Sequence, residues 1–141
     1  MIDIQILIDR ISSETGYAVE RARSVEPNLQ DQAILPVVYV GYFSIDSHNP
    51  SAPIAYDLYN DYGEDLVQTF EVQIVAMIND LPTIWKKVYS SLIGYTPTAT
   101  VSSTASTSGF TFAQGATQQS NGKVWDVSRW KIGFPTANVN F

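Results

Sequence analysis

The feature that most constrains the fold is a long extended segment that passes directly into a helix in the middle of the chain. Across residues 70–76, apolar side chains alternate with Glu71 and Gln73, which is the period of a strand. Across residues 81–92, apolar side chains recur at three- and four-residue steps, which is the period of an amphipathic helix. Because the period changes across a two-residue turn, the strand and the helix pack together. This predicts an α+β core.

The length and composition indicate a single acidic domain. A chain of 141 residues can bury one core, and we expect residues 1–141 to form one domain. The 14 acidic and 8 basic residues give a net charge of −6. Basic residues come close together only in the pairs Arg21/Arg23, Lys86/Lys87 and Arg129/Lys131, too few for a groove that binds phosphates, which argues against specific nucleic-acid binding. The absence of cysteine excludes a disulfide framework and a thiolate nucleophile. No apolar run approaches the roughly 20 residues that span a bilayer, so we expect no membrane partner.

The first half of the chain predicts further elements. An apolar stripe predicts a first helix over about residues 3–14, which Gly16 is well placed to end. Residues 17–25 predict either an extension of that helix or a separate helical turn. Residues 33–45 are β-branched and aromatic and predict a strand. Residues 46–64 predict a loop longer than a structural connection requires.

The last third predicts a β-hairpin. The pair Asn121-Gly122 favours a type I′ turn between strands over about residues 109–119 and 123–134. One face of the second strand carries Trp130, Ile132 and Phe134, and the other carries Trp125, Val127, Arg129 and Lys131. Apolar residues on both faces predict that this strand is covered twice, by its own core and by a neighbour. The fold class is therefore α+β: a mostly antiparallel sheet of about four strands, two main helices and a C-terminal β-hairpin.

Two segments have no clear place in that core. Residues 96–108 are rich in serine and threonine, which suits either a flexible linker or a strand against another chain. Residues 135–141 form a tail that we expect to be extended, without a partner in its own pattern.

Candidates for catalysis are few. His48 is the single histidine and lies in a turn-forming sequence, typical of a solvated loop residue. The acidic residues Asp57, Asp61, Glu64 and Asp65 could supply a carboxylate pair for glycoside hydrolysis, but nothing apolar surrounds them to raise one pKa. No nucleophile turn or phosphate-binding loop is present. We predict that the chain is not an enzyme and has no catalytic residue, cofactor or metal ligand.

Four segments occur together in one order. They are the helix at the N-terminus, the strand of residues 34–41 with its early proline, the acid-rich turn 60–65 before the strand 69–75, and the closing segment 125–134. In this order and length the chain resembles the tail terminator, or tail completion, proteins of long-tailed bacteriophages. The resemblance spans nearly the whole chain, although no single motif in it is diagnostic.

The resemblance implies a structural virion protein at the head-proximal end of the tail, assembled in the host cytoplasm. Six copies would form a ring that caps the tail tube, ends its polymerisation and joins the tail to the head-side connector protein. The implied partners are other copies of the chain, the tail tube protein, the connector and, in a contractile tail, the sheath protein. DNA would pass through the ring without specific binding.

A ring of this kind needs interfaces and a bore. Closed rings need heterologous interfaces, which the last strand, the loop 46–64 and the uncharged region 96–120 could supply. The interface candidates are Trp125, Val127, Arg129, Trp130, Phe134 and Phe141. An acidic bore would repel DNA, and the candidates for its lining are Asp57, Asp61, Glu64, Asp65 and Glu71.

Other functions remain open from the sequence. The chain could be another virion part, such as a head–tail adaptor, a tail tube subunit or a baseplate component. It could be a carbohydrate-binding module that stacks sugars on Trp125, Trp130 and tyrosines of the loop 46–64. A small hydrolase that uses the carboxylates of residues 57–65 is the third alternative.

Overall fold

In the part of the chain that the structure describes, two helices pack on one face of a five-stranded sheet. The computed structural model describes residues 2–22, 35–47, 65–97 and 109–135. In chain order the elements are α1 (Ile4–Thr15), β1 (Ala18–Arg21), β2 (Val37–Ser47), β3 (Asp65–Met77), a 3-10 turn (Ile78–Asp80), α2 (Leu81–Leu92), β4 (Thr111–Ser120) and β5 (Lys123–Pro135). This confirms the predicted α+β class.

The strands lie in the order β1-β2-β3-β5-β4. β1 runs parallel to β2, and all other neighbours are antiparallel. The predicted C-terminal hairpin is β4–β5, and it belongs to the same sheet because β5 pairs with β3 along its whole length. Because β4 is the last strand in this order, the hairpin forms one edge of the sheet and β1 forms the other.

The central strand and helix agree with their sequence pattern. β3 ends at Met77, a single 3-10 turn follows, and Pro82 occupies the first turn of α2, where its missing N–H costs no hydrogen bond. α2 buries Ile84, Val88 and Leu92 against the sheet.

The helical interpretation of residues 17–25 is wrong, because this segment contains strand β1. Gly16 has a φ of 74° and ends α1, and the next residues align with β2. Val19 packs against the main core, and the backbone N–H of Ala22 donates to the Val40 carbonyl at 2.8 Å. Pairing with β2 is a long-range interaction that a local pattern does not contain, so tertiary packing decides the structure here.

The sheet has an apolar cluster on each face. The larger cluster lies under the helices and contains side chains of α1, α2, β2, β3 and β5, including Phe70, Ile74 and Trp130. The smaller cluster lies on the opposite face and contains Val37, Tyr39, Val75 and Trp125. The residues of the two clusters alternate along each strand, as the period of two requires.

Several predicted segments lie outside the described residues. They are most of the loop 46–64, residues 98–108 of the Ser/Thr-rich segment, and residues 136–141 of the tail. The described residues before and after the segment 98–108 are bonded to each other: the Gly94 N–H donates to the Phe110 carbonyl, and the Phe110 N–H donates to the Tyr95 carbonyl.

Candidate functional site

Trp130 is held inside the chain's own core. Its side chain is 1% exposed and packs against Tyr89 of α2 and Phe112 of β4, with ring centroids at 5.4 and 5.6 Å. Its indole Nε1 donates to the Ser128 hydroxyl at 3.0 Å. Packing against α2 and β4 of the same chain covers this side chain, and its assignment to a subunit interface stays a prediction.

Trp125 lies on the opposite face of β5, in the smaller cluster. Its side chain is 7% exposed, and its Nε1 donates to the Gln73 side-chain oxygen at 3.2 Å. Val127 is half-buried beside it. Both faces of β5 carry buried apolar residues, as the sequence indicates, but this chain itself supplies most of the cover. Neither indole presents an open face on which a sugar could stack.

Arg129 and Glu71 form an ion pair on the face away from the helices. The Arg129 Nε lies 3.7 Å from a Glu71 carboxylate oxygen, and the other oxygen accepts from Gln73 Nε2 at 2.8 Å. The guanidinium also stacks 3.8 Å from the ring centroid of Phe43, whose side chain is 48% exposed. Arg129 is an interface candidate and Glu71 a bore candidate, and the structure brings these two side chains together.

Most of the other predicted site residues lie outside the part of the chain that the structure describes. Asp57, Asp61, Glu64, His48 and Phe141 lie outside the described residues. Asp65 begins β3, six residues before Glu71. Phe134 belongs to β5, next to its end. The acidic bore therefore stays a prediction.

The most exposed element is β4, whose individual residues the sequence analysis did not single out. Every residue from Thr111 to Gln119 is exposed, although the strand pairs with β5 throughout, apart from an irregularity at Ala113. The strand contains no charged residue and no proline. The sequence does contain an indication of this uncharged surface, because residues 88–122 contain no aspartate, glutamate, lysine, arginine or histidine. This uncharged stretch includes the edge of the sheet.

Asp126 is the one buried carboxylate of the hairpin. It lies on β5, is 5% exposed, and its Oδ2 has no hydrogen-bond partner. Burial raises the pKa of Asp126 from 3.8 to about 6, because desolvation disfavours the charged form. Its neighbours in register are Ile74 of β3 and Thr117 of β4.

The described part of the chain shows neither a cluster of metal-binding side chains nor a helix that could cross a membrane. Residues 2–22, 35–47, 65–97 and 109–135 contain no group of three or more histidine, cysteine, aspartate or glutamate side chains that could hold a metal ion. Neither described helix has the length and apolarity to cross a membrane.

Chains of solved structures have folds similar to this one. One similar chain belongs to the virion of a native gene transfer agent particle, with a TM-score of 0.53. The fold is similar to that of a virion chain. The likeness covers 89% of this chain and 84% of the other, at 14% sequence identity, so it concerns the fold alone. No protein-family model and no curated protein matches the sequence.

Proposed function

We propose that this chain is a structural virion protein without catalytic activity. The observation that carries the proposal is the likeness of nearly the whole chain to a chain of the gene transfer agent virion. Virions are built from repeated subunits, and repeated subunits need surfaces that a single copy leaves uncovered. The exposed, uncharged edge strand β4 is a surface of this kind.

Within this class, the best-supported role is that of a ring at the head-proximal end of a phage tail. The resemblance of the sequence to tail terminator proteins motivates this finer assignment. Six copies cap the tail tube, stop its growth and join it to the connector, with the sheath protein as a further partner in a contractile tail. The net charge of −6 on each copy suits a bore through which DNA passes, since like charges repel.

The test is a tail assembled without this chain. We expect tails of uncontrolled length that fail to join heads, as seen by electron microscopy of lysates. Supplying the wild-type chain in trans should restore uniform tails. Tails of normal length that join heads normally would contradict the terminator role.

Purified protein provides a second, separate test. A terminator stops polymerisation and is therefore expected to form single rings at most. Growth of the purified chain into long tubes would contradict the terminator role and assign the chain to the tube itself.

A further inference from the structure

The free edge of β4 is built to accept another backbone. Among the described residues, β4 pairs only with β5, and no described strand pairs with the N–H and C=O groups of its other edge. Soluble proteins usually protect such an edge with charged residues, proline or a short strand. β4 has no charged residue and no proline over its ten residues, Thr111–Ser120, and apart from the irregularity at Ala113 its pairing with β5 is regular.

The register of the hairpin identifies the outward-facing groups. Ser120 and Lys123 flank the two-residue turn, and in this type of hairpin the flanking pair is hydrogen-bonded. Antiparallel pairs alternate between hydrogen-bonded and non-hydrogen-bonded, so the backbone groups of Gln119, Thr117 and Gly115 point away from β5. The N–H and C=O groups of another extended backbone can pair with these outward groups one by one. DNA, a sugar or a lipid has no such row of donors and acceptors.

The charges at the two ends of the sheet are opposite. The β4–β5 hairpin carries three basic residues, Lys123, Arg129 and Lys131, and one acidic residue, the buried Asp126. Arg129 is paired with Glu71 of β3, so Lys123 and Lys131 are the hairpin's cations that have no ion pair among the described residues. The α1–β1 end carries four acidic residues and two basic ones: Asp3, Asp9, Glu14, Glu20, Arg10 and Arg21. A chain with a net charge of −6 repels its own copies, and this repulsion is least where a basic end meets an acidic end.

We propose that the β4 edge of one copy binds the α1–β1 end of a second copy, so that the copies join head to tail. β1 is the other edge of the sheet and pairs only with β2 among the described strands, with three of its four residues exposed. Contact between two different edges is heterologous, and such contacts close into rings or continue as filaments. The inference rests on the proposed ring and names the surfaces that hold it together.

Disulfide trapping between two variants tests the contact, since the chain has no cysteine of its own. One variant carries Glu20→Cys on β1. It is mixed under oxidising conditions with Thr117→Cys, Gln118→Cys or Gln119→Cys, so that three registers are sampled. Within one copy these positions lie four strand spacings apart, roughly 19 Å, too far for an intramolecular disulfide. The matched control is Ser90→Cys, on the exposed face of α2, mixed with the same Glu20→Cys variant.

We expect a cross-linked dimer from at least one of the three mixtures, with a yield on the order of tenfold above the control, because bound copies hold the thiols at high effective concentration. Equal yields from the control, or no cross-link in any mixture, would overturn the inference. A cross-link formed by the Gln118→Cys variant alone, at higher yield than in the mixture, would also overturn it, because that product requires two β4 edges to meet.

Amide exchange provides a measurement that does not depend on a substitution. The N–H groups of Gly115, Thr117 and Gln119 should exchange fast in dilute protein and become protected as copies associate, whereas that of Gln118, which faces β5, should change little. An assembly that forms while the three outward amides still exchange fast would exclude this contact. It would leave the terminator role intact, because that role is judged by tail length in the deletion.

Discussion

Asp126 is the residue whose environment is least suited to its charge. Its carboxyl group is buried in β5, and one oxygen lacks a hydrogen-bond partner. A carboxylate in such a site loses its hydration without full compensation, which destabilises the folded state whenever the group is ionised. The hairpin therefore carries a local cost at neutral pH that a neutral side chain would relieve.

This cost predicts how stability depends on pH. Because burial raises the pKa of Asp126 from 3.8 to about 6, the folded state binds a proton more tightly than the unfolded state. The Asp126 contribution is therefore most favourable below about pH 4 and is lost as pH rises to about 6, by roughly 1.4 kcal/mol per pKa unit. Asp126→Asn should remove this dependence and raise the free energy of unfolding at pH 7.5 by up to about 3 kcal/mol, since the burial of the neutral amide offsets part of the gain.

Urea unfolding between pH 4 and pH 8 measures the effect. The control is Asp80→Asn, which removes a carboxylate from an exposed position before α2 and leaves Asp126 in place. An Asp126→Asn variant with the same change in stability between pH 4 and pH 6 as the wild type would show that another group is responsible.

Gln68 ties the start of the chain to the central strand. Its side chain is fully buried, accepts from the Ile2 N–H at 2.8 Å and donates to the Ile2 carbonyl at 3.0 Å. Gln68→Met keeps the length of the side chain and removes both bonds. We expect it to lower the free energy of unfolding by about 2–4 kcal/mol, since two buried backbone groups lose their partners.

Thermal and urea unfolding check this expectation. The control is Gln119→Met, the same substitution at an exposed position of β4, which should change stability by less than about 0.5 kcal/mol. Equal effects of the two substitutions would mean that the Gln68 bonds do not stabilise the fold.

At the scale of elements, the turn between β4 and β5 supports more than the hairpin. Asn121 and Gly122 have φ angles of 52° and 76°, and the Gly122 carbonyl accepts from the Ile78 N–H at 2.8 Å. Gly122→Val should therefore lower the free energy of unfolding by about 1–2 kcal/mol, because a β-branched residue is strained at positive φ. A distorted turn would also weaken the hydrogen bond from the Ile78 N–H to the Gly122 carbonyl, which anchors the 3-10 turn before α2.

Urea unfolding of two variants separates strain from a general effect of changing the turn. Asn121→Gly keeps a residue that accepts positive φ, so its stability should stay within about 0.5 kcal/mol of the wild type. A Gly122→Val variant as stable as Asn121→Gly would show that the turn is not held in this conformation.

The elements with strong local signals were predictable from the sequence. Periodicity located α1, β3, α2 and β5, and Asn121-Gly122 located the hairpin turn. β1 was missed because Ala18–Arg21 is too short to show a period and is ordered by pairing with β2. The burial of Trp130 under α2 was not predictable, because a strand pattern shows that both faces of β5 are apolar, but not which element covers each face.

The candidate site was less predictable than the fold. An edge strand is defined by its position in the sheet, which depends on the long-range order β3-β5-β4. The composition of residues 88–122 shows a lack of charge, but not that Thr111–Ser120 is the last strand of the described sheet. Likewise, the pairing of Glu71 with Arg129 follows from the register of β3 with β5.

At the scale of the whole molecule, the sheet has two unlike edges and two unlike faces. The helices cover one face, and the smaller cluster around Trp125 occupies the other. The long uncharged edge lies at the basic end, and the short edge lies beside the acidic helix α1. This polarity suits a subunit that makes two different contacts, which is what a ring requires.

The proposed bore predicts a defect that depends on charge. Of the five acidic candidates, Glu71 is paired with Arg129, so the test uses Asp57, Asp61 and Glu64, which lie outside the described residues. Replacing all three with lysine changes the net charge of each copy from −6 to 0 and attracts DNA in place of repelling it. We expect tails of normal length joined to heads, with infectivity reduced at least about tenfold, because DNA is retained during passage.

A neutral triple variant separates charge from the loss of the carboxylates. Asp57→Asn, Asp61→Asn and Glu64→Gln together remove three negative charges without adding positive ones, so the defect should be intermediate between the wild type and the lysine variant. DNA ejection from purified particles at low and high salt measures it, and high salt should relieve the defect since it screens the attraction. Full infectivity of the lysine variant, or equal defects in the two triple variants, would contradict an electrostatic role for these residues in the bore.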